Sequence, residues 1–140
     1  MLARIATEAG PFDVVIDDGG HLWGQQLVSL IHLWPAVAPG GLYVVEDLHT
    51  SYHETYRAGE TRTTDWLKGL VDAVNLRGRS FYGDRVRDPN FAALAPQLDE
   101  WERTVFGVHF FKSIAFVEKQ TVELGAGLSL ATGNAVADFA

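Results

Sequence analysis

Two short apolar runs, Asp13-Val14-Val15-Ile16-Asp17 and Leu42-Tyr43-Val44-Val45, stand out in a chain whose other hydrophobic residues recur at helical spacing. Each has the length and near-continuous apolar character of a strand buried on both faces of a parallel sheet. Between them Leu27, Leu30, Ile31 and Trp34 fall at i, i+3, i+4 and i+7, the stripe of an amphipathic helix ended by Pro35 and Pro39-Gly40-Gly41. Strand, helix and strand form a βαβ unit. Its right-handed crossover sets the strands side by side with both carboxyl ends at one edge of the sheet. Upstream, residues 3–9 read as the tail of a helix stopped by Gly10 and Pro11. Downstream, after a polar loop at 49–62, a helix capped by Thr63 or Thr64 carries Leu67, Leu70, Val71 and Val74 on one face. The pattern weakens over 79–103, where Pro89 and Pro96 leave room for short helical pieces at 91–94 and 97–102. Residues 105–111 and 114–117, rich in aromatic and β-branched side chains and joined by Lys112-Ser113, predict an antiparallel hairpin at the far side of the sheet. The fold class is α/β, and the Gly-rich stretch 120–140 is expected to be a poorly ordered tail.

Acids follow both parallel strands. Asp17-Asp18-Gly19-Gly20-His21 leaves the first and Glu46-Asp47 the second. Ligands in open α/β sheets bind outside the carboxyl ends of the strands, where these groups lie. Side chains alternate along a strand, so Asp17 and Asp18 cannot both face the same way. Asp18, Glu46 and Asp47 form an oxygen-only set of the kind magnesium accepts beside waters and substrate oxygens, and manganese would accept it too. His21 would stand beside that set, and an imidazole titrates near neutrality, as a general base requires. The alternative is a turn with a solvated acid pair whose His21 caps the next helix.

Composition narrows the field. With 140 residues, 47% of them hydrophobic, there is material for one core. Eleven basic against eighteen acidic residues give a net charge of −7, which disfavours nucleic acid and anionic membrane as partners. The absence of cysteine excludes disulfides, thiolate nucleophiles and Cys-ligated zinc. Without a membrane-length apolar run or a signal-peptide pattern, a cytoplasmic location is expected.

The strings Phe-Asp-Val-Val-Ile-Asp-Asp-Gly-Gly-His (12–21), Pro-Gly-Gly-Leu-Tyr-Val-Val-Glu-Asp-Leu-His-Thr-Ser-Tyr (39–52) and Val-His-Phe-Phe-Lys-Ser-Ile-Ala-Phe-Val-Glu-Lys (108–119) resemble the C-terminal half of class I S-adenosylmethionine-dependent methyltransferases. Among these they are most similar to the magnesium-dependent sugar O-methyltransferases of macrolide biosynthesis, the mycinamicin VI 2''-O-methyltransferase type. The resemblance implies that residues 1–119 are a partial methyltransferase domain holding strands four to seven of a seven-stranded sheet. It implies that Asp18, Glu46 and Asp47 ligate Mg2+, that His21 is the general base, and that Asp17 and Gly19 meet S-adenosylmethionine. The glycine-rich cofactor turn of such enzymes lies on strands that this chain does not contain. The expectation is therefore a truncated O-methyltransferase of antibiotic biosynthesis acting on a sugar-bearing small molecule. A catalytically inactive remnant serving as a metal-binding or interaction module, and a cephalosporin hydroxylase-like protein, stay open beside it. An unpaired edge on the first strand predicts oligomerisation or a complementing chain.

Weaker expectations attach to other positions. Gln25, His49 and Tyr52 could meet a substrate, although loop histidines such as His49 and His53 are commonly inert. His32 is read as a surface residue, His109 as a paired sheet position, and Trp23, Trp34, Trp66 and Trp101 as packing. Lys68, Arg77 and Arg79 read as a solvated helix end.

Overall fold

β1 (Phe12–Asp17) and β2 (Val37–Val45) run parallel, joined by the crossover helix α2 (Trp23–Leu33) and a 3-10 turn, Trp34–Ala36. β3 (Val105–Phe111) and β4 (Ile114–Lys119) form the antiparallel hairpin, and the sheet order is β1-β2-β4-β3. The computed structural model describes residues 1–75 and 98–121. Within them, α1 (Leu2–Ala9) precedes β1, α3 (Thr63–Val74) follows the acid-bearing loop, and α4 (Glu100–Thr104) leads into β3. The expected helical piece at 91–94 and nearly all of the 120–140 tail lie outside the described residues.

Register shows which face carries the core. Val15 pairs with Tyr43 and Asp17 with Val45, while Tyr43 pairs with Val117 and Val45 with Ala115, so these residues line one side of the sheet. Against that side pack Leu30 and Trp34 from the crossover and Leu67 and Leu70 from α3, all fully or almost fully buried. Trp34 stacks on Trp101, and Trp66 meets Trp101 edge-on at 4.8 Å between centroids. Trp23 and Trp34 are buried with their indole N–H groups satisfied, so the tryptophans pack and do not form a platform. His109 lies 3.7 Å from Glu118 across the hairpin, and His32 bonds the Val28 carbonyl on the exposed side of α2. Lys68 pairs with Asp65 on the surface of α3.

Several sequence expectations need correction. β1 is a sheet edge among the described residues, and Val14 and Ile16, on the side away from the helices, are 52% and 62% exposed. A continuous apolar run therefore did not mean burial on both faces here. β2 starts at Val37, upstream of the Pro39-Gly40-Gly41 that the pattern read as a helix stop. The ladder is irregular there: Phe12 pairs with Val37 but Val14 with Leu42, and Gly40 takes φ 78°, the positive-φ region open to glycine. The N-cap of α3 is Arg62, whose Nε donates to Asp65 at 2.6 Å, and Thr63 and Thr64 instead turn inward and are buried. Ile31 and Val71 are exposed, and the piece expected at 97–102 is α4, capped by Asp99 through a reciprocal bond pair with Glu102.

Tyr43, completely buried, donates its hydroxyl to the buried Asp17 carboxylate at 2.9 Å, and the Gly19 N–H donates to the same group. Burial pushes the Asp17 carboxyl above its ordinary range, and the two donors oppose that rise. A raised folded-state pKa means that the contribution of Asp17 to stability is fully present below its unfolded value and is lost as pH rises through the folded one. Tyr43→Phe removes the larger opposing donor, so the folded state should be about 1–3 kcal/mol less stable at neutral pH. Urea unfolding should show that deficit at pH 7 and a smaller one at acid pH, where the carboxyl is protonated. Equal midpoints at pH 7 would remove Tyr43 as the brace of this turn.

Candidate metal and catalytic site

The sheet delivers three groups to one edge. Asp18 leaves the end of β1, His21 stands on the turn into α2, and Asp47 leaves the end of β2. Ligand atoms of Asp18, His21 and Asp47 all lie within 4.8 Å of one another. His21 Nε2 is 3.6 Å from Asp47 Oδ2. Asp18 is exposed, whereas His21 and Asp47 are half-buried. Side-chain alternation separates the two acids: Asp17 turns into the core side and Asp18 out to the cluster.

Glu46, the third expected ligand, is held by its backbone. Its N–H donates to the Asp17 carbonyl at 3.1 Å, and its carbonyl accepts from Gln26 Nε2 at 3.0 Å. Its carboxylate is outside the Asp18, His21 and Asp47 grouping. Neither the Asp18 nor the Glu46 carboxylate has a hydrogen-bond or ion-pair partner among the described residues. Acid oxygens without donors, set beside a third carboxylate and an imidazole, suit a divalent cation by chemistry and by number.

Gln26, which was not singled out from the sequence, and several residues that were hold this edge in shape. Gln26, buried on α2, accepts from Thr63 Oγ1 at 2.7 Å while its amide holds the Glu46 carbonyl. Trp23 Nε1 donates to the Thr50 carbonyl at 2.9 Å. Asp47 has φ 54°, left-handed, and its carbonyl accepts from both the N–H and the hydroxyl of Thr50. Since β4 runs antiparallel to β2, the β3–β4 turn returns to the same edge. Leu48 N–H donates to the Ser113 carbonyl, and His49 Nδ1 lies 2.7 Å from Ser113 Oγ. The same His49 nitrogen is 3.8 Å from Asp47 Oδ1. Asp47 is thus flanked by histidines on both oxygens, His21 on one and His49 on the other. Ser113 reaches this edge because the two-residue turn precedes a strand antiparallel to β2, a placement that follows from the sheet order.

Of the weaker candidates, His49 belongs to this edge. Tyr52 is 65% exposed with the Arg62 guanidinium 5.3 Å from its ring centre. Gln25 is exposed and its side chain covers Gly20. Asp17 is committed to Tyr43 and Gly19, and Gly19 itself lies exposed at the apex of the turn.

The chain is similar to known proteins over most of its length. The 8-demethyl-8-alpha-L-rhamnosyl tetracenomycin-C 2'-O-methyltransferase of Streptomyces olivaceus is 37% identical over 132 residues, covering 91% of this chain and 32% of that protein. The mycinamicin VI 2''-O-methyltransferase of Micromonospora griseorubida is 36% identical over 126 residues, 85% of this chain and 29% of that protein. Among solved structures, MycE methyltransferase from the mycinamycin biosynthetic pathway, in complex with Mg, SAH and mycinamycin VI, superposes with a TM-score of 0.66 at 33% identity over 90% of this chain. The chain is a relative of the sugar O-methyltransferases. It spans about a third of their length, matching their C-terminal region. No family model matches the chain. The four-stranded sheet, two strands parallel and two antiparallel, agrees with the methyltransferase structures it matches, as the sequence resemblance implied.

Proposed function

We propose that this chain carries the metal and general-base part of a magnesium-dependent, S-adenosylmethionine-dependent O-methyltransferase acting on a sugar hydroxyl of a natural product. The observation that carries the proposal is the convergence of Asp18, His21 and Asp47 at the carboxyl edge of β1 and β2. Relatives whose names specify transfer to sugar-bearing antibiotics, one of them solved with Mg and SAH, support it.

Asp18, Glu46 and Asp47 are the residues that would hold the ion, Mg2+ or Mn2+. Bound there, a divalent cation supplies Lewis acidity that lowers the pKa of a neighbouring hydroxyl. His21 Nε2 takes the proton of the hydroxyl to be methylated, and Asp47, 3.6 Å away, steadies the imidazolium that results. The freed oxygen attacks the sulfonium methyl in line: the O–CH3 bond forms, the S–CH3 bond breaks, and the sulfur leaves as a neutral thioether with the electron pair. Orientation of base, acceptor and methyl donor provides most of the acceleration. For the methyl donor, Asp17 braces the turn from below while Gly19 presents it to the cofactor. The exposed edge of β1, with Val14 and Ile16 bare, is the proposed pairing surface for a further strand of a longer protein or a partner.

Calorimetry tests the reading. Titration with MgCl2 should give one saturable binding event, and, with the strands that pair along β1 supplied by a longer or complementing chain, addition of S-adenosylmethionine with a rhamnoside should yield a methylated glycoside by mass spectrometry. Absence of Mg2+ binding overturns the proposal. Mg2+ binding without cofactor binding or product would favour the metal-binding module that lacks transfer chemistry.

A further inference from the structure

We propose that Gln26 is the positioning residue that aims both carboxylates of the Glu46-Asp47 pair at the ion, an inference that rests on the metal-site reading above. Its carboxamide reaches the peptide group between the two acids. Gln26 Nε2 donates to the Glu46 carbonyl at 3.0 Å, and that carbonyl shares one rigid plane with the Asp47 N–H. Fixing the plane fixes the frame from which each acid projects, Glu46 on one side of it and Asp47 on the other.

The pair needs such a hold. Asp47 has φ 54°, a left-handed backbone that a residue other than glycine keeps where its surroundings determine it. Beyond the residue, the Asp47 carbonyl accepts from the Thr50 N–H and hydroxyl. Ahead of it, the Glu46 N–H donates to the Asp17 carbonyl. The Gln26 contact falls between these two, on the plane that joins the acids.

Gln26 is itself fixed in place and in orientation. It is 2% exposed on α2. A carbonyl can only accept, so Glu46 takes the NH2 end of the amide and leaves Oε1 to accept from the Thr63 hydroxyl at 2.7 Å. Thr63, completely buried, is the first residue of α3, so a second helix sets which way the amide points. Three residues before Gln26 on α2, Trp23 Nε1 donates to the Thr50 carbonyl at 2.9 Å. Two donors on one helix face thus grip the acid loop at Glu46 and at Thr50, and the helix that carries them follows the turn bearing His21.

The choice of ion distinguishes aim from general support. Mg2+ demands near-octahedral geometry at short distances, whereas Ca2+ accepts flexible shells of oxygen. A misaimed pair of carboxylates therefore loses Mg2+ preferentially. A general loosening lowers the binding-competent fraction and weakens both ions by the same factor.

The test is calorimetric titration of Gln26→Met with MgCl2 and with CaCl2, at a temperature where circular dichroism shows the variant folded. Mg2+ affinity should fall by about tenfold or more, the scale of losing an outer partner of a metal ligand. Ca2+ affinity should fall by less than about threefold, because its shell tolerates the displacement. Thr63→Val frees the amide without removing it and should give the same preferential loss in smaller degree. Thr63→Ser keeps the hydroxyl and should restore both affinities. If Gln26→Met does not fold, the two Thr63 variants carry the comparison. Unchanged Mg2+ affinity, or equal losses for the two ions, overturns the inference and leaves the metal site standing. Binding of neither ion by the unaltered protein removes the metal-site reading and the inference with it.

Discussion

Asp47→Asn should weaken Mg2+ binding by more than about a hundredfold, beyond the loss typical of removing an outer partner of a metal ligand. The substitution is close to a pure change of charge. Asparagine is isosteric with aspartate and is among the few residues that tolerate the left-handed backbone found at this position, φ 54°. The backbone contacts that set the loop, from the Thr50 N–H and hydroxyl to the carbonyl of residue 47, do not involve the altered group. What disappears is the carboxylate that lies within 4 Å of both His21 and His49. The check is calorimetric titration of both proteins with MgCl2, with far-UV circular dichroism to establish that the fold is retained. Unchanged affinity would remove Asp47 from the metal site and with it the geometric basis of the proposed function. Glu46→Gln in the same experiment decides whether the acid outside the Asp18, His21 and Asp47 grouping joins the coordination shell; a loss comparable to that of Asp47→Asn is expected.

The sequence made the site legible to the extent that it depends on strand order and alternation. Two apolar runs with a crossover helix between them force Asp18 and Asp47 to one edge, and period two sends Asp17 the other way; the structure has both features. Burial was less legible, because it depends on what lies against each face and not on the strand itself. Val14 and Ile16 read as core from their composition, yet nothing among the described residues covers them. The start of β2 was hidden for a related reason. Pro39-Gly40-Gly41 carries the local chemistry of a stop, but pairing with β1 carries the strand through it by way of an irregular register and a positive-φ glycine. Thr63 was misread as a cap because capping and buried hydrogen bonding use the same hydroxyl, and only the tertiary placement of Gln26 decides between them. Gln26 itself gave no signal: it is a polar residue on a helix face until β2 arrives beside it. Long-range partners of this kind, Ser113 with His49 among them, follow from topology once the sheet order is known, and local pattern does not encode them.

With the cofactor-binding strands supplied by a longer or complementing chain, His21→Ala should reduce methyl transfer by about 10²- to 10⁴-fold, the usual contribution of a positioned general base, while Mg2+ affinity is retained. Both halves of this outcome are needed, because His21 belongs to the same 4.8 Å grouping as Asp18 and Asp47 and is therefore close enough to be either a base or a ligand. The donor chemistry favours the base. Mg2+ prefers oxygen donors, and Asp18, Glu46 and Asp47 supply three without the imidazole. The 3.6 Å separation between His21 Nε2 and Asp47 Oδ2 suits a carboxylate that supports an imidazolium, a role that needs the nitrogen free to accept a proton. Three measurements on the variant distinguish the roles: turnover with S-adenosylmethionine and a rhamnoside, the calorimetric affinity for Mg2+, and turnover with added imidazole. A base leaves a cavity that free imidazole can enter, so partial rescue is expected. Turnover equal to that of the unaltered protein would remove His21 from the chemistry. A parallel collapse of metal affinity without rescue would make it a fourth ligand and leave the proton acceptor to be sought at His49, on the other oxygen of Asp47.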